Sequence, residues 1–186
     1  MTESRLLETL KQCNPDDVMN IPALREKLTP EQMEGLYEFI EHERATKDPE
    51  RHELRMRECI DKAAKAVGLR WSATSPVDHP FGARLDGSLW LDKKRVAVVE
   101  LEAKNRKQIS GALLDLLTHP ESNKILLVGR SKTEMANQLK KKLVTEVLPT
   151  VQALLKVPAA VAIFTETELH FRPKLLSDFL GLQPKV

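Results

Sequence analysis

An apolar run, Val96-Ala97-Val98-Val99, passes without a break into Glu100-Leu101-Glu102-Ala103-Lys104. No other feature of the chain limits its folding options as much. Such a run reads as a strand buried at one end and polar at the other. Side chains two apart on a strand share a face. Val96 and Val98 are therefore expected on the face of Glu100, Glu102 and Lys104, which starts buried and turns charged only at its end. A second strand, about residues 83–91, precedes it and carries Asp86, with Asp92-Lys93-Lys94 joining the two as a hairpin. A turn centred on Lys93 pairs Asp86 with Glu100 and sets Glu102 diagonal to it, at cross-strand distances of about 5–8 Å. An edge strand showing alternating charge to water would carry the same local pattern. The buried start and the register of Asp86 favour a site.

The neighbouring elements follow from periodicity. A helix from Pro49 to about Val67 has Met56, Ile60, Ala63, Ala64 and Val67 as its apolar stripe, and Leu69, Trp71 and Ala73 alternate as a strand. After the hairpin, a helix over 106–118 carries Ile109, Ala112, Leu113, Leu116 and Leu117, and Lys124 to Val128 reads as a buried strand. Ser131-Lys132-Thr133-Glu134 is a capping box for a long helix with Met135, Leu139, Leu143 and Val147, which Pro149 should kink or end. A last strand is expected over 159–164. Upstream, Asn14-Pro15 and the Thr29-x-x-Gln32 box open short helices, and Leu36, Phe39 and Ile40 recur at helical spacing. The expectation is an α/β fold with an αβββαβ core, its central mixed sheet flanked by helices. Asp48-Pro49 divides a small helical N-terminal region, 1–48, from the main domain, 49–186.

Composition narrows the function. The chain has 186 residues, 41% of them hydrophobic, and only Cys13 and Cys59 as cysteines, which suits a reducing compartment and one sizeable core. With no signal-like apolar run at the N-terminus and none long enough to span a bilayer, a soluble cytoplasmic protein is expected, with no membrane partner. Net charge is +2, but residues 1–50 hold 6 Lys and Arg against 12 Asp and Glu, and residues 103–142 hold 9 against 3. The basic segment is either a phosphate-attracting surface or a set of solvated helix faces. Phosphate-loop, H-E-x-x-H, paired C-x-x-C and G-x-S-x-G motifs are absent, so no small-molecule cofactor is expected.

Over roughly residues 50–165, this order of elements and the residues Asp86 and Glu102-Ala103-Lys104 resemble the PD-(D/E)xK nuclease superfamily. It includes type II restriction endonucleases and archaeal Holliday-junction resolvases. Leu85 stands where the motif has Pro. The resemblance implies a restriction endonuclease-like fold and a Mg²⁺-dependent endonuclease acting on DNA, with Mn²⁺ as substitute and a homodimer where both strands are cut. Asp86, Glu102 and Lys104 would be its catalytic residues. Asp86 and Glu102 would hold the metal, alone or with Glu100, because some members carry acid-x-acid at this place. Lys104 would orient or deprotonate water, or hold the phosphate.

An inward Glu on the first helix of the core also serves many members. Glu53 falls about 20° from Ile60 on a helical wheel, and Glu58 about 160°, so Glu53 is the expected extra metal contact. Its alternative role is a favourable charge at a helix N-terminus. Arg106, Lys107, Gln108, Arg130 and Lys132 are the candidate DNA contacts, and Lys140-Lys141-Lys142 either extends them or is a solvated face. A resolvase-like nuclease is the nearest alternative. A non-catalytic protein that keeps the fold and binds nucleic acid or protein is the alternative from another class.

Overall fold

Among the described residues, four helices begin on a proline, which fixes φ and has no N–H to leave unpaired in a first turn. They are α1 (Pro15–Met19), α2 (Pro22–Lys27), α3 (Pro30–Arg44) and α4 (Pro49–Ala66). The computed structural model describes residues 13, 15–44, 49–73, 84–103, 106–129, 132–155 and 160–182. By contacts the chain divides into two units, Met1–Glu50 and Arg51–Val186. In the first, α1 packs on α3 and the box before α3 is closed in both directions, Thr29 N–H to Gln32 Oε1 at 2.9 Å and Gln32 N–H to Thr29 Oγ1 at 3.2 Å. Met33, Tyr37 and Ile40 are buried, whereas Phe39 is exposed, so the stripe is rotated from the one expected.

In the second unit α4 is followed by β1 (Arg70–Ser72), β2 (Gly87–Leu91), β3 (Lys94–Glu102), α5 (Arg106–Thr118), β4 (Asn123–Val128) and α6 (Thr133–Lys142). A π-helical turn, Leu143–Val147, leads into α7 (Leu148–Leu155), and β5 (Ala160–Thr165), α8 (Glu166–Phe171) and α9 (Lys174–Phe179) complete the unit. The sheet has the order β1-β2-β3-β4-β5, antiparallel through β3 and parallel from β3 to β5. This is an α/β fold with a five-stranded mixed sheet flanked by helices. No helix among the described residues is long and apolar enough to cross a membrane.

Alternation along the strands makes two apolar layers. On one face Ala97, Val99, Leu101, Ile125 and Leu127 pack with Met56, Cys59, Ile60, Ala63 and Ala64 of α4. On the other, Val98, Leu126, Val128 and Ile163 pack with Ile109, Leu113, Leu116 and Leu117 of α5 and Ala136 of α6. The site carboxylates of β3 lie on this second, α5 side, because Glu100 pairs in register with Leu126 and Glu102 with Val128.

Several expectations need correction. Val96 joins the α4-side layer and not that of Val98. A bulge is the reason: Leu89 pairs with Ala97 but Trp90 with Arg95, so Val96 is the extra residue and alternation breaks there. The turn is Asp92-Lys93 alone, with Asp92 in the left-handed region at φ 53°. Helix α6 has Lys132 at its N-cap with no side-chain cap; Ser131, the expected cap, lies outside the described residues. Pro149 does not end the helical run. The residues Leu143–Val147 ahead of it take the wider π turn, with Leu148 N–H reaching Leu143 O, and Pro149, which has no N–H to donate, sits at the second position of α7. Two short helices after β5 were not anticipated.

Candidate functional site

Asp86 lies just before β2, and one end of its carboxylate is fixed from β3: the Leu101 N–H donates to Asp86 Oδ2 at 2.8 Å. Because Gly87 pairs with Val99, Asp86 stands opposite Glu100, and the two carboxyls are hydrogen-bonded to each other. Space at this point is tight on the far face. A Cβ at Gly87 would overlap the Trp71 ring and the Ser72 carbonyl of β1, so glycine is required where the strand leaves Asp86.

Glu100 is half-buried. Loss of hydration, then the hydrogen bond with Asp86, then the negative charges of Asp86, Asp115 and Glu102 push its pKa up from 4.5 to about 10. It therefore carries a proton at neutral pH and donates it to Asp86. The cluster comprises Asp86 before β2, Glu100 and Glu102 on β3, and Asp115 on α5. Asp115 was missed by sequence reading. Its only signal there was an acid within an otherwise apolar and neutral helix stretch, Gly111 to Thr118.

The raised pKa of Glu100 has a thermodynamic consequence. The folded, metal-free chain holds a proton that the unfolded chain releases above pH 4.5. This contribution to stability is whole below pH 4.5 and is lost progressively as pH rises towards 10. Thermal melts in EDTA should thus show stability falling over that window. Glu100→Gln, a neutral isostere, should flatten the profile and melt higher than wild type at pH 8; a parallel profile in the variant would refute the assignment.

Glu53 does not reach this cluster. It is exposed, paired with Arg57 one turn on (2.7 Å), and its helix covers the opposite face of the sheet from Glu100. The wheel angle was sound but incomplete, because among the described residues of α4 the first buried one is Met56, a turn beyond Glu53. Water and an i,i+4 arginine then suit a carboxylate better than the interior does. Glu53→Gln should leave any cleavage rate within about twofold and cost only about 0.3–0.5 kcal/mol, measurable by urea titration. Glu58 is exposed, as expected.

Lys104, the third member of the expected catalytic set, lies outside the described residues, as does Arg130. Helix α5 starts at Arg106; Lys107 and Gln108 in its first turns are exposed, and Lys132 is half-buried ahead of α6. The basic segment is less of a surface than its charge suggests. Lys124 is fully buried beside Val98, donating to the Glu121 carbonyl, and burial pushes its pKa down. Lys140 pairs with both Glu168 oxygens at 2.6 and 2.7 Å, while Lys141 and Lys142 face solvent.

The donor set of the cluster is all carboxylate oxygen, which fits Mg²⁺ or Mn²⁺ and not a soft-metal site. Asp86 and Glu100 are the two already in contact. Among the described residues, no three His, Cys, Asp or Glu side chains are gathered closely enough to hold an ion. Comparison with protein-family models, with curated proteins and with solved structures yields no match.

Proposed function

We propose that the protein is a divalent-metal-dependent endonuclease that hydrolyses phosphodiester bonds in DNA, of the restriction endonuclease-like kind. The observation that carries the reading is the pairing of Asp86 with Glu100 at the polar end of β3, with Glu102 two residues on. Two carboxyls held against each other are costly unless one takes up a proton, as Glu100 does in the metal-free chain, or a cation lies between them. The order helix, three antiparallel strands, helix and parallel strand supports the same reading, since it is the order that the resemblance implies.

Asp86, Glu100 and Glu102 are the proposed ligands, and the contact of Asp86 with Glu100 favours the acid-x-acid arrangement, Glu100 with Glu102, over Glu102 alone. Bound there, Mg²⁺ would polarise the scissile phosphate and acidify a water. With a cation held beside Asp86, Glu100 would release its proton to water and could bind as a carboxylate. Lys104, next along the chain from Ala103, is the proposed partner of the attacking water or the phosphate. Lys107 and Gln108, exposed at the start of α5, are proposed phosphate contacts, with Arg106, Arg130 and Lys132. Two copies would be needed for a double-strand break.

Supercoiled plasmid and a four-way DNA junction, each incubated with Mg²⁺, Mn²⁺ or EDTA, test the proposal. Metal-dependent cutting is the expected result, and the preferred substrate separates a restriction-like enzyme from a resolvase-like one. Binding of DNA without cutting under any of these conditions would replace it with a non-catalytic DNA-binding protein.

A further inference from the structure

The acid-x-Lys stretch has a contact on the side away from the carboxylates. Ala103, between Glu102 and Lys104, packs partly against the α4-side layer. Gly129, the residue that follows β4, is buried directly against it. A Cβ on Gly129 would stand 2.7 Å from the Ala103 Cβ and 3.1 Å from its Cα, with Met56 Sδ at 3.6 Å behind. Neither Ala103 atom is the far end of a flexible side chain, so neither can swing aside. The same glycine donates its N–H to the Glu102 carbonyl at 3.0 Å. On the neighbouring strand, Asp86 holds the Leu101 N–H. The last peptides of β3 are thereby gripped from both flanks, by β4 through Gly129 and by the approach to β2 through Asp86.

We infer that Gly129 is a positioning residue for the proposed nuclease site: its close contact with Ala103 and its hydrogen bond to the Glu102 carbonyl fix the direction in which the end of β3 presents Glu102. The inference rests on the function proposed above. Room, not backbone conformation, makes glycine necessary here. A methyl group at 129 must displace the Ala103 backbone by several tenths of an ångström, and the error is passed to the residues on either side. Rates fall steeply with such misplacement, on the order of 10²-fold for 1 Å.

Gly129→Ala, Ala103→Gly and the double variant test this, with Leu176→Ala as a control that unsettles the core away from the site. Cleavage of plasmid is followed as kcat and KM, stability by thermal melting, and Mn²⁺ affinity by calorimetry. Gly129→Ala should lower kcat by about tenfold or more and weaken Mn²⁺ binding, with KM for DNA little changed. The double variant, which removes the methyl that the new one meets, should recover most of both. Leu176→Ala should lower the melting temperature at least as far while keeping kcat. A kcat within twofold of wild type in Gly129→Ala, no recovery in the double variant, or an equal loss in Leu176→Ala would each overturn the inference. Wild-type protein that cuts no DNA would instead overturn the proposed function. In that event hydrogen exchange at Leu101 and Ala103 decides about Gly129: faster exchange in Gly129→Ala, reversed in the double variant, supports the contact, and unchanged exchange refutes it.

Discussion

Asp86→Asn should reduce metal-dependent DNA cleavage by about two orders of magnitude or more, the scale seen when one preorganised electrostatic partner is lost from a reaction centre. The substitution keeps the shape and keeps an oxygen able to accept from the Leu101 N–H, so the approach to β2 should stay in place. What it removes is the negative charge facing Glu100. Folding of the metal-free chain should be unharmed or improved, because one of the charges that disfavours Glu100 ionisation is gone. The informative pattern is therefore a lost activity with an unchanged or higher melting temperature in EDTA. Duplex binding in Ca²⁺, measured by fluorescence anisotropy, should survive. Retained cleavage in Asp86→Asn would remove Asp86 from the catalytic set and with it the main support for the proposed chemistry.

Arg55→Met should cost about 3–5 kcal/mol, the usual effect of stranding one member of a buried ion pair. Glu166 is fully buried at the first position of α8, and Arg55 of α4 meets it with two bonds, Nε to Oε1 at 2.9 Å and Nη2 to Oε2 at 3.0 Å. The Cys59 thiol also donates to the Glu166 carbonyl, so α4 is tied to the end of β5 at both levels of that residue. For a chain of this size the loss corresponds to about 10 °C in melting temperature. Replacing the pair together, Arg55→Met with Glu166→Leu, should restore most of it, since neither charge is then left dry. A double variant as unstable as Arg55→Met alone would show that packing of the long arginine stem, and not the stranded carboxylate, sets the cost.

Much of this architecture could be read from the residues. The helix Arg106–Thr118 and the strand ending at Val128 follow from apolar spacing alone, because both bury one clear stripe or run. The Asp86–Glu100 pairing was also expected, but by a different route. A three-residue turn would centre the hairpin on Lys93; the chain uses a two-residue turn and then adds one residue at the Val96 bulge, which returns the register to the same pairing. A bulge has no strong sequence signature, since its cause lies in how the partner strand packs. Glu53 failed for a related reason: a helical wheel gives direction but not how far along its axis a helix overlaps the sheet. Lys124 was readable as part of a buried strand, yet nothing in its neighbours announces that a main-chain carbonyl waits to receive its ammonium. Asp115 comes from a different element, and only the folded chain shows that its charge bears on Glu100.

The carboxylates on β3 and the one that faces them belong to a single hairpin, joined by the shortest turn in the sheet. The parallel strands and their crossover helices add cover and a seat for Gly129, but none separates Asp86 from Glu100 along the chain. Insertions in the crossovers lengthen loops at little entropic cost. Over evolutionary time the outer half of the sheet can therefore be lengthened or remodelled while this acidic hairpin is inherited as one piece.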